Sequence, residues 1–99
     1  MARIELAPEA LDDFDRFFDH MSRFEVANAP ERVAAIIEAI GVLQASPLIG
    51  RPVQGGMREL VIGRGSQGYV ALYRYVPAMD TVFVLAIRSQ REQGFERNG

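Results

Sequence analysis

Residues 57–91 contain the three runs that decide the fold: MRELVIG (57–63), GYVALYRYV (68–76) and TVFVLAIR (81–88). Each run is rich in Val, Ile, Leu, Tyr and Phe, which suit a pleated, half-buried surface. The glycine-rich segment GRGSQG (63–68) separates the first two runs, and the turn PAMD (77–80) separates the last two. Because such short connections favour antiparallel pairing of consecutive strands, we predict a three-stranded meander.

Upstream of the meander, the sequence predicts a short strand over residues 2–6 and then two amphipathic helices. The first helix starts at Pro8 and runs to about Phe24, and the second starts at Asn28 or Ala29 and ends near Ser46. LIGRPVQGG (48–56) is predicted to be an ordered loop. The order β-α-α-β-β-β predicts a two-layer α+β domain, with an antiparallel sheet and an N-terminal helical hairpin on one face.

Apolar spacing predicts which side of the first helix is buried. We expect a buried stripe at spacings of three and four, and an opposite face in contact with solvent that consists of Asp12, Asp13, Asp15, Arg16 and Asp19. The stripe consists of Leu11, Phe14, Phe18 and Met21, widened by Phe17 and Phe24. For the second helix the stripe consists of Val33, Ile36, Ile37, Ile40 and Leu43.

Alternation along the last two strands leaves the orientation of the sheet open. Tyr69, Ala71, Tyr73 and Tyr75 oppose Val70, Leu72, Arg74 and Val76. Phe83, Leu85 and Ile87 oppose Val82, Val84, Ala86 and Arg88. Both sets are partly apolar, so the period alone does not say which face meets the helices.

Length and composition set further limits. The 99 residues are enough for one domain, which we assign to residues 1–99 with a mobile tail from about residue 92. The chain has no cysteine and one histidine, so we predict no transition-metal site and no cofactor, and the cytoplasm fits best. No apolar run approaches the ~20 residues that a membrane span needs.

Charge is unevenly distributed along the chain. Residues 1–45 carry nine acidic residues against four arginines, whereas residues 46–99 carry four against seven. All eleven basic residues are arginine, so no lysine is available as a general base. We therefore expect no strong direct binding to nucleic acid, but a local arginine surface suited to phosphate or carboxylate.

Several segments together resemble the RelE/ParE superfamily of bacterial toxins. They are APEALDDF (7–14), Pro47 with GRP (50–52), REL (58–60), GYVALYR (68–74) and VFVLAIR (82–88), and the resemblance extends from about Arg3 to Gly94. It implies the compact toxin fold, and a cognate antitoxin that covers the active surface and forms a hetero-oligomer with the toxin.

The resemblance leaves three activities open. ParE-like members inhibit DNA gyrase and block replication and growth, and we take this as the main expectation. RelE-like members are ribosome-dependent mRNA endonucleases, so the chain is an enzyme only if it belongs with them. The third alternative is a drifted, weakly toxic or inactive member. Where many relatives carry a histidine after the last strand, this chain reads RSQR (88–91), which removes the most obvious proton-transfer residue.

Site residues follow from the arginines and tyrosines of the sheet. For contact with the target we name Arg64, Tyr69, Tyr73, Arg88 and Arg91. For contact with the antitoxin we name Arg58, Arg74 and Arg88. Catalytic residues remain unknown.

Overall fold

A computed structural model describes residues 1–23, 29–63 and 68–89. The chain forms β1 (Arg3–Leu6), α1 (Pro8–Arg23), α2 (Ala29–Gly41), β2 (Arg51–Val53), β3 (Met57–Ile62), β4 (Tyr69–Val76) and β5 (Thr81–Ser89). A 3₁₀ turn over Val42–Gln44 extends the winding of α2 towards the predicted end.

The five strands form one sheet in the order β1-β5-β4-β3-β2. The meander of β3, β4 and β5 pairs antiparallel as predicted. Two features add to the prediction. The segment predicted as a loop contributes β2, which pairs antiparallel with β3, and β1 pairs with β5 in parallel. The predicted α+β class is confirmed, with a mixed rather than purely antiparallel sheet.

The two helices cover the face of the sheet that carries Tyr69, Ala71 and Tyr73. Those three residues are buried together with Ile36, Ile40 and Leu43 from the end of α2 and the turn after it. The cluster therefore assigns the face that alternation left open. Within the described parts of the chain, no helix combines the length and apolar composition that a membrane span requires.

The buried stripe of α1 is shifted along the sequence by about one residue from the predicted stripe. Its buried positions are Ala10, Asp13, Phe17 and Met21. Leu11 is 50% exposed and Phe18 is 56% exposed. Phe17 and Met21 are buried as predicted and Phe14 packs against the core, whereas the prediction was wrong for Leu11, Phe18 and Asp13. The closely spaced phenylalanines support two helical phases, and burial of Asp13 selects the second. Phe24 lies outside the described residues. On α2, Ile37 is exposed although the predicted stripe included it.

A β-bulge in β5 changes the predicted alternation of that strand. Leu72 pairs with Ala86 and the next residue, Tyr73, pairs with Val84, which leaves Leu85 as an extra residue. As a result Val82, Val84 and Ile87 all lie fully buried in the core. Arg88 is displaced from the face it would share with Val82 and Val84 under strict alternation, and its side chain leaves β5 on the side of the sheet away from the helices.

Candidate functional site

A buried carboxylate joins α1 to the end of β5. The side chain of Asp13 is 5% exposed. Its Oδ2 accepts a hydrogen bond from the Ile87 main-chain N–H at 2.8 Å. Its Oδ1 accepts one bond from Arg16 Nη1 and one from Arg88 Nη1, each at 3.0 Å. We call Asp13, Arg16 and Arg88 the Asp13 cluster.

Because β1 is short, the edge of β5 that it leaves unpaired needs a hydrogen-bond acceptor, and Asp13 provides one. The parallel ladder ends at Leu6 opposite Val84, and the Ala7 N–H adds one bond to the Val84 carbonyl. Beyond that point β5 has no strand on this side within the described residues, so its outward N–H groups need another acceptor. Asp13 supplies one for Ile87. The same bond from Ala7 also anchors the start of α1, where alanine stands in place of a side chain that could cap.

The two arginines of the Asp13 cluster remain partly accessible. The Arg16 side chain is 46% exposed and that of Arg88 is 44% exposed. The Arg16 guanidinium carbon also lies 5.2 Å from the centre of the Phe17 ring, which in turn packs 5.3 Å from the ring of Tyr69. Two guanidinium groups share one carboxylate, so the cluster carries net positive charge at the surface.

Arg58 serves a different part of the molecule. Its Nη1 donates to the carbonyl of Leu48 at 3.0 Å and to that of Gly50 at 2.8 Å. The Gly50 N–H donates to the hydroxyl of Tyr73 at 2.8 Å. A Cβ on Gly50 would lie 2.6 Å from the Tyr73 ring and 2.8 Å from the Glu59 carbonyl oxygen, so only glycine fits. We call Gly50, Arg58 and Tyr73 the Gly50 lock.

The three arginines predicted to contact an antitoxin do not form one surface. Arg58 pairs across β3 and β4 with the buried Tyr73, which places it on the helical side of the sheet. Arg74 follows Tyr73 and lies on the opposite side, where its Nη2 donates to the Gly55 carbonyl at 2.7 Å. Arg88 shares the side of Arg74.

The residues predicted to contact the target differ in burial: the two tyrosines are buried, whereas Arg88 is accessible. Tyr73 is fully buried and Tyr69 is 9% exposed, so both rings belong to the core. The prediction that Tyr73 contacts a target conflicts with this burial, because its hydroxyl and ring are enclosed by the Gly50 turn. Arg88 is the predicted contact that the structure places at the surface. Arg64, Arg91 and the tail from about residue 92 lie outside the described residues.

The described residues offer few groups suited to proton transfer or metal binding. Residues 1–23, 29–63 and 68–89 contain no group of three or more His, Asp and Glu side chains arranged to hold a metal ion. One tyrosine is perturbed: the Tyr75 hydroxyl donates to Asp80 Oδ1 at 2.8 Å, and this hydrogen bond raises the pKa of Tyr75 above its ordinary 10.0. Desolvation and the charge of Asp80 act on the pKa in the same direction.

Asp13 is the site residue that sequence reasoning missed. A signal was present, since Asp13, Phe17 and Met21 follow one another at helical spacing on one face. An aspartate in such a stripe indicates a buried acceptor with a partner elsewhere. Its partner Arg88 lies 75 residues away, so spacing alone could not identify the pair.

Comparison with known protein families gives a match over most of the chain. Residues 4–94 match a family described as the ParE toxin of the type II toxin–antitoxin system parDE. A search of curated proteins returned no match.

Several solved structures share the fold. The chromosomal ParDE toxin–antitoxin system from P. aeruginosa aligns with a TM-score of 0.73 at 25% identity, over 90% of this chain and 96% of the other. The RelBE2 toxin–antitoxin complex from Mycobacterium tuberculosis aligns with a TM-score of 0.64 at 24% identity, over 90% and 98%. An E. coli RelE toxin aligns with a TM-score of 0.65 at 15% identity, over 98% and 93%.

Proposed function

Because this chain belongs to the ParE toxin family of type II toxin–antitoxin systems, we propose that it inhibits DNA gyrase and thereby blocks replication and growth. The observation that carries the proposal is the family match over residues 4–94. The likeness to a ParDE system at 25% identity supports it further. The proposed target would place its action in the cytoplasm.

The chemistry of the Asp13 cluster supports action by binding. A guanidinium group stays protonated near neutral pH and has no acceptor, so Arg16 and Arg88 offer hydrogen bonds and charge rather than acid–base catalysis. Both side chains are about half exposed and are joined to a buried carboxylate, which fixes them at the surface. We propose that Arg88 contacts the target, and that Arg64 and Arg91 extend this contact.

The proposal is tested with purified toxin in two assays. We expect inhibition of gyrase supercoiling, or trapping of cleaved DNA, and no cleavage of ribosome-bound message. Arg88→Ala should weaken the inhibition about tenfold or more. Asp19→Asn is a matched control on the same helix as Asp13, because Asp19 is exposed and pairs loosely with Arg23, at 3.6 Å. Codon-specific cleavage of message with gyrase unaffected would overturn the proposal.

That contrary result would favour a ribosome-dependent endonuclease. The observation in its favour is the position of Arg74 and Arg88, two exposed arginines on the sheet face away from the helices, where they could hold phosphate. The gyrase proposal ranks higher because the family match is to ParE toxins.

We further propose that a cognate antitoxin neutralises the toxin in a hetero-oligomer. Support comes from the solved relatives, two of which are toxin–antitoxin systems. An antitoxin with acidic and apolar residues would pair with Arg74 and Arg88 on the open face. Loss of a buried arginine pair costs about 2–5 kcal/mol of binding, which calorimetry can measure on Arg74→Ala and Arg88→Ala. Unchanged affinity in both would place the interface elsewhere. Arg58→Ala should have a smaller effect, since Arg58 serves the Gly50 lock.

A further inference from the structure

We propose that Asp13 is a positioning residue that holds the Arg88 guanidinium in the orientation needed for the target contact. This inference rests on the proposed function, because it assigns Asp13 a role in the same contact. It adds a residue of α1 to the target contact proposed for Arg88.

Geometry distinguishes this role from simple ion pairing at the surface. Exposed ion pairs contribute little to stability because water weakens the attraction between the two charges. Holding both side chains in one geometry also costs conformational entropy. Here one partner is fixed: Asp13 is 5% exposed and its Oδ2 is engaged by the Ile87 N–H at 2.8 Å. Its Oδ1 therefore points in a defined direction, and it determines where the Arg88 Nη1 lies.

The bulge at Leu85 sets where the Arg88 side chain leaves β5, and so determines that Asp13 is needed to hold it. It places Arg88 on the open side of the sheet, one residue before the end of β5 at Ser89. From there its long side chain reaches back to α1, where its Nη1 donates to Asp13 Oδ1 at 3.0 Å. Because lost side-chain freedom opposes binding, an arginine that is already held binds more tightly than a free one.

Asp13 performs two tasks, and one substitution separates them. In Asp13→Asn, the amide oxygen can still accept the Ile87 N–H and so preserve the edge of β5. The amide nitrogen is a donor and cannot accept from Arg88, and the negative charge is lost. The variant therefore keeps the bond to the Ile87 N–H and removes the bonds to Arg88 and Arg16, and only the loss at Arg88 bears on the predicted target contact.

The first experiment is a double-mutant cycle on gyrase inhibition. We expect Asp13→Asn and Arg88→Ala each to raise the half-inhibitory concentration about tenfold or more. We expect the double variant to be no weaker than Arg88→Ala alone, because Asp13 acts through Arg88. Asp19→Asn on the same helix should match the unmodified protein. Full inhibition by Asp13→Asn, or fully additive losses in the double variant, would overturn the proposal.

The second experiment does not depend on gyrase. In ¹⁵N NMR spectra, the Arg88 Nε–H signal should show the restricted motion of a held guanidinium in the unmodified protein, and free-arginine behaviour in Asp13→Asn. A freely mobile Arg88 in the unmodified protein overturns the inference even if Asp13→Asn fails to fold. Toxin that leaves gyrase active while Arg88 is held refutes the proposed target and leaves the positioning intact.

Discussion

Arg58 and Arg88 use the same side chain in two regions of one small sheet, with different results. Arg58 donates to two neutral carbonyls of its own chain and belongs to the Gly50 lock, which is built around the fully buried Tyr73. Arg88 donates to a buried carboxylate and keeps nearly half of its side chain exposed. The difference teaches that the role of an arginine on a sheet depends on what accepts its hydrogen bonds. For Arg58, two main-chain acceptors in one turn indicate a structural role, whereas the fixed carboxylate leaves the guanidinium of Arg88 available to a partner.

The largest effect should come from filling the Gly50 lock. In Gly50→Ala, the new Cβ would overlap the Tyr73 ring and the Glu59 carbonyl oxygen. Overpacking of this kind costs about 1–3 kcal/mol, and we expect the upper end because main chain lies on one side. Urea unfolding measures the loss.

Gly41→Ala is the matched control for that substitution. Gly41 has helical backbone angles, and a Cβ added there would meet nothing within 4 Å. Alanine should therefore be neutral or stabilising by up to about 1 kcal/mol. If Gly50→Ala is as stable as the unmodified protein, the close packing of Gly50 against Tyr73 does not stabilise the fold, and the structural role of the Gly50 lock is wrong.

The next effect comes from Arg58 itself. Arg58→Ala removes two charge-assisted hydrogen bonds from the turn at residues 48–50, and we expect a loss of about 1–2 kcal/mol. Arg74→Ala removes one bond at an exposed position and should change stability by less than about 0.5 kcal/mol. Both variants should inhibit gyrase normally at temperatures where they are folded. If Arg58→Ala unfolds no more easily than Arg74→Ala, the structural role assigned to Arg58 is wrong.

Arg88→Ala should show the reverse pattern. Asp13 keeps its bonds to Arg16 and to the Ile87 N–H, so we expect a loss of less than about 1 kcal/mol. Gyrase inhibition should nevertheless fall about tenfold or more. Circular dichroism melting and the supercoiling assay, run on the same samples, give the two values. If Arg88→Ala melts early and still inhibits gyrase, Arg88 has the structural role that we assign to Arg58, and the target contact lies elsewhere.

The smallest effect concerns two tyrosines of β4. Tyr73 accepts a bond from a main-chain N–H, whereas Tyr75 donates to Asp80 and has a raised pKa. A raised pKa means that folding favours the protonated hydroxyl. That contribution to stability is complete below about pH 10 and is lost as the pH rises through the folded-state pKa. The ultraviolet absorbance of tyrosinate, compared between the unmodified protein and Tyr75→Phe, should place the Tyr75 transition above pH 10. A transition at or below the ordinary tyrosine value would mean that the bond to Asp80 does not form in solution.

Much of the fold could be predicted because the deciding signals are local. The three strands of the meander and both helices follow from apolar runs, turns and Pro8. Two errors have local causes of their own. Phe14, Phe17 and Phe18 support two helical phases, and the bulge at Leu85 has no glycine or proline to mark it. The short β2 contains Pro52, which weakens any strand signal.

The candidate site was less predictable because its parts are distant in sequence. Arg88 could be named from its place at the end of an apolar strand. Its carboxylate partner could not, because only the tertiary fold brings Asp13 to the edge of β5. Tyr73 shows the opposite error, since alternation identified its set of residues but not that this set faces the core.

The parallel pairing of β1 with β5 has a consequence for synthesis of the protein. Arg3 to Leu6 pair with Thr81 to Val84, so the first strand has no partner until those residues leave the ribosome. The Asp13–Arg88 contact spans 75 residues, so it cannot form before Arg88 has left the ribosome. Contacts that close such long loops slow folding, because their entropy cost is met before the contact forms. A nascent chain therefore cannot complete either the sheet or the held arginine before nearly the whole domain has emerged, and the surface we assign to the target arises only in the finished fold.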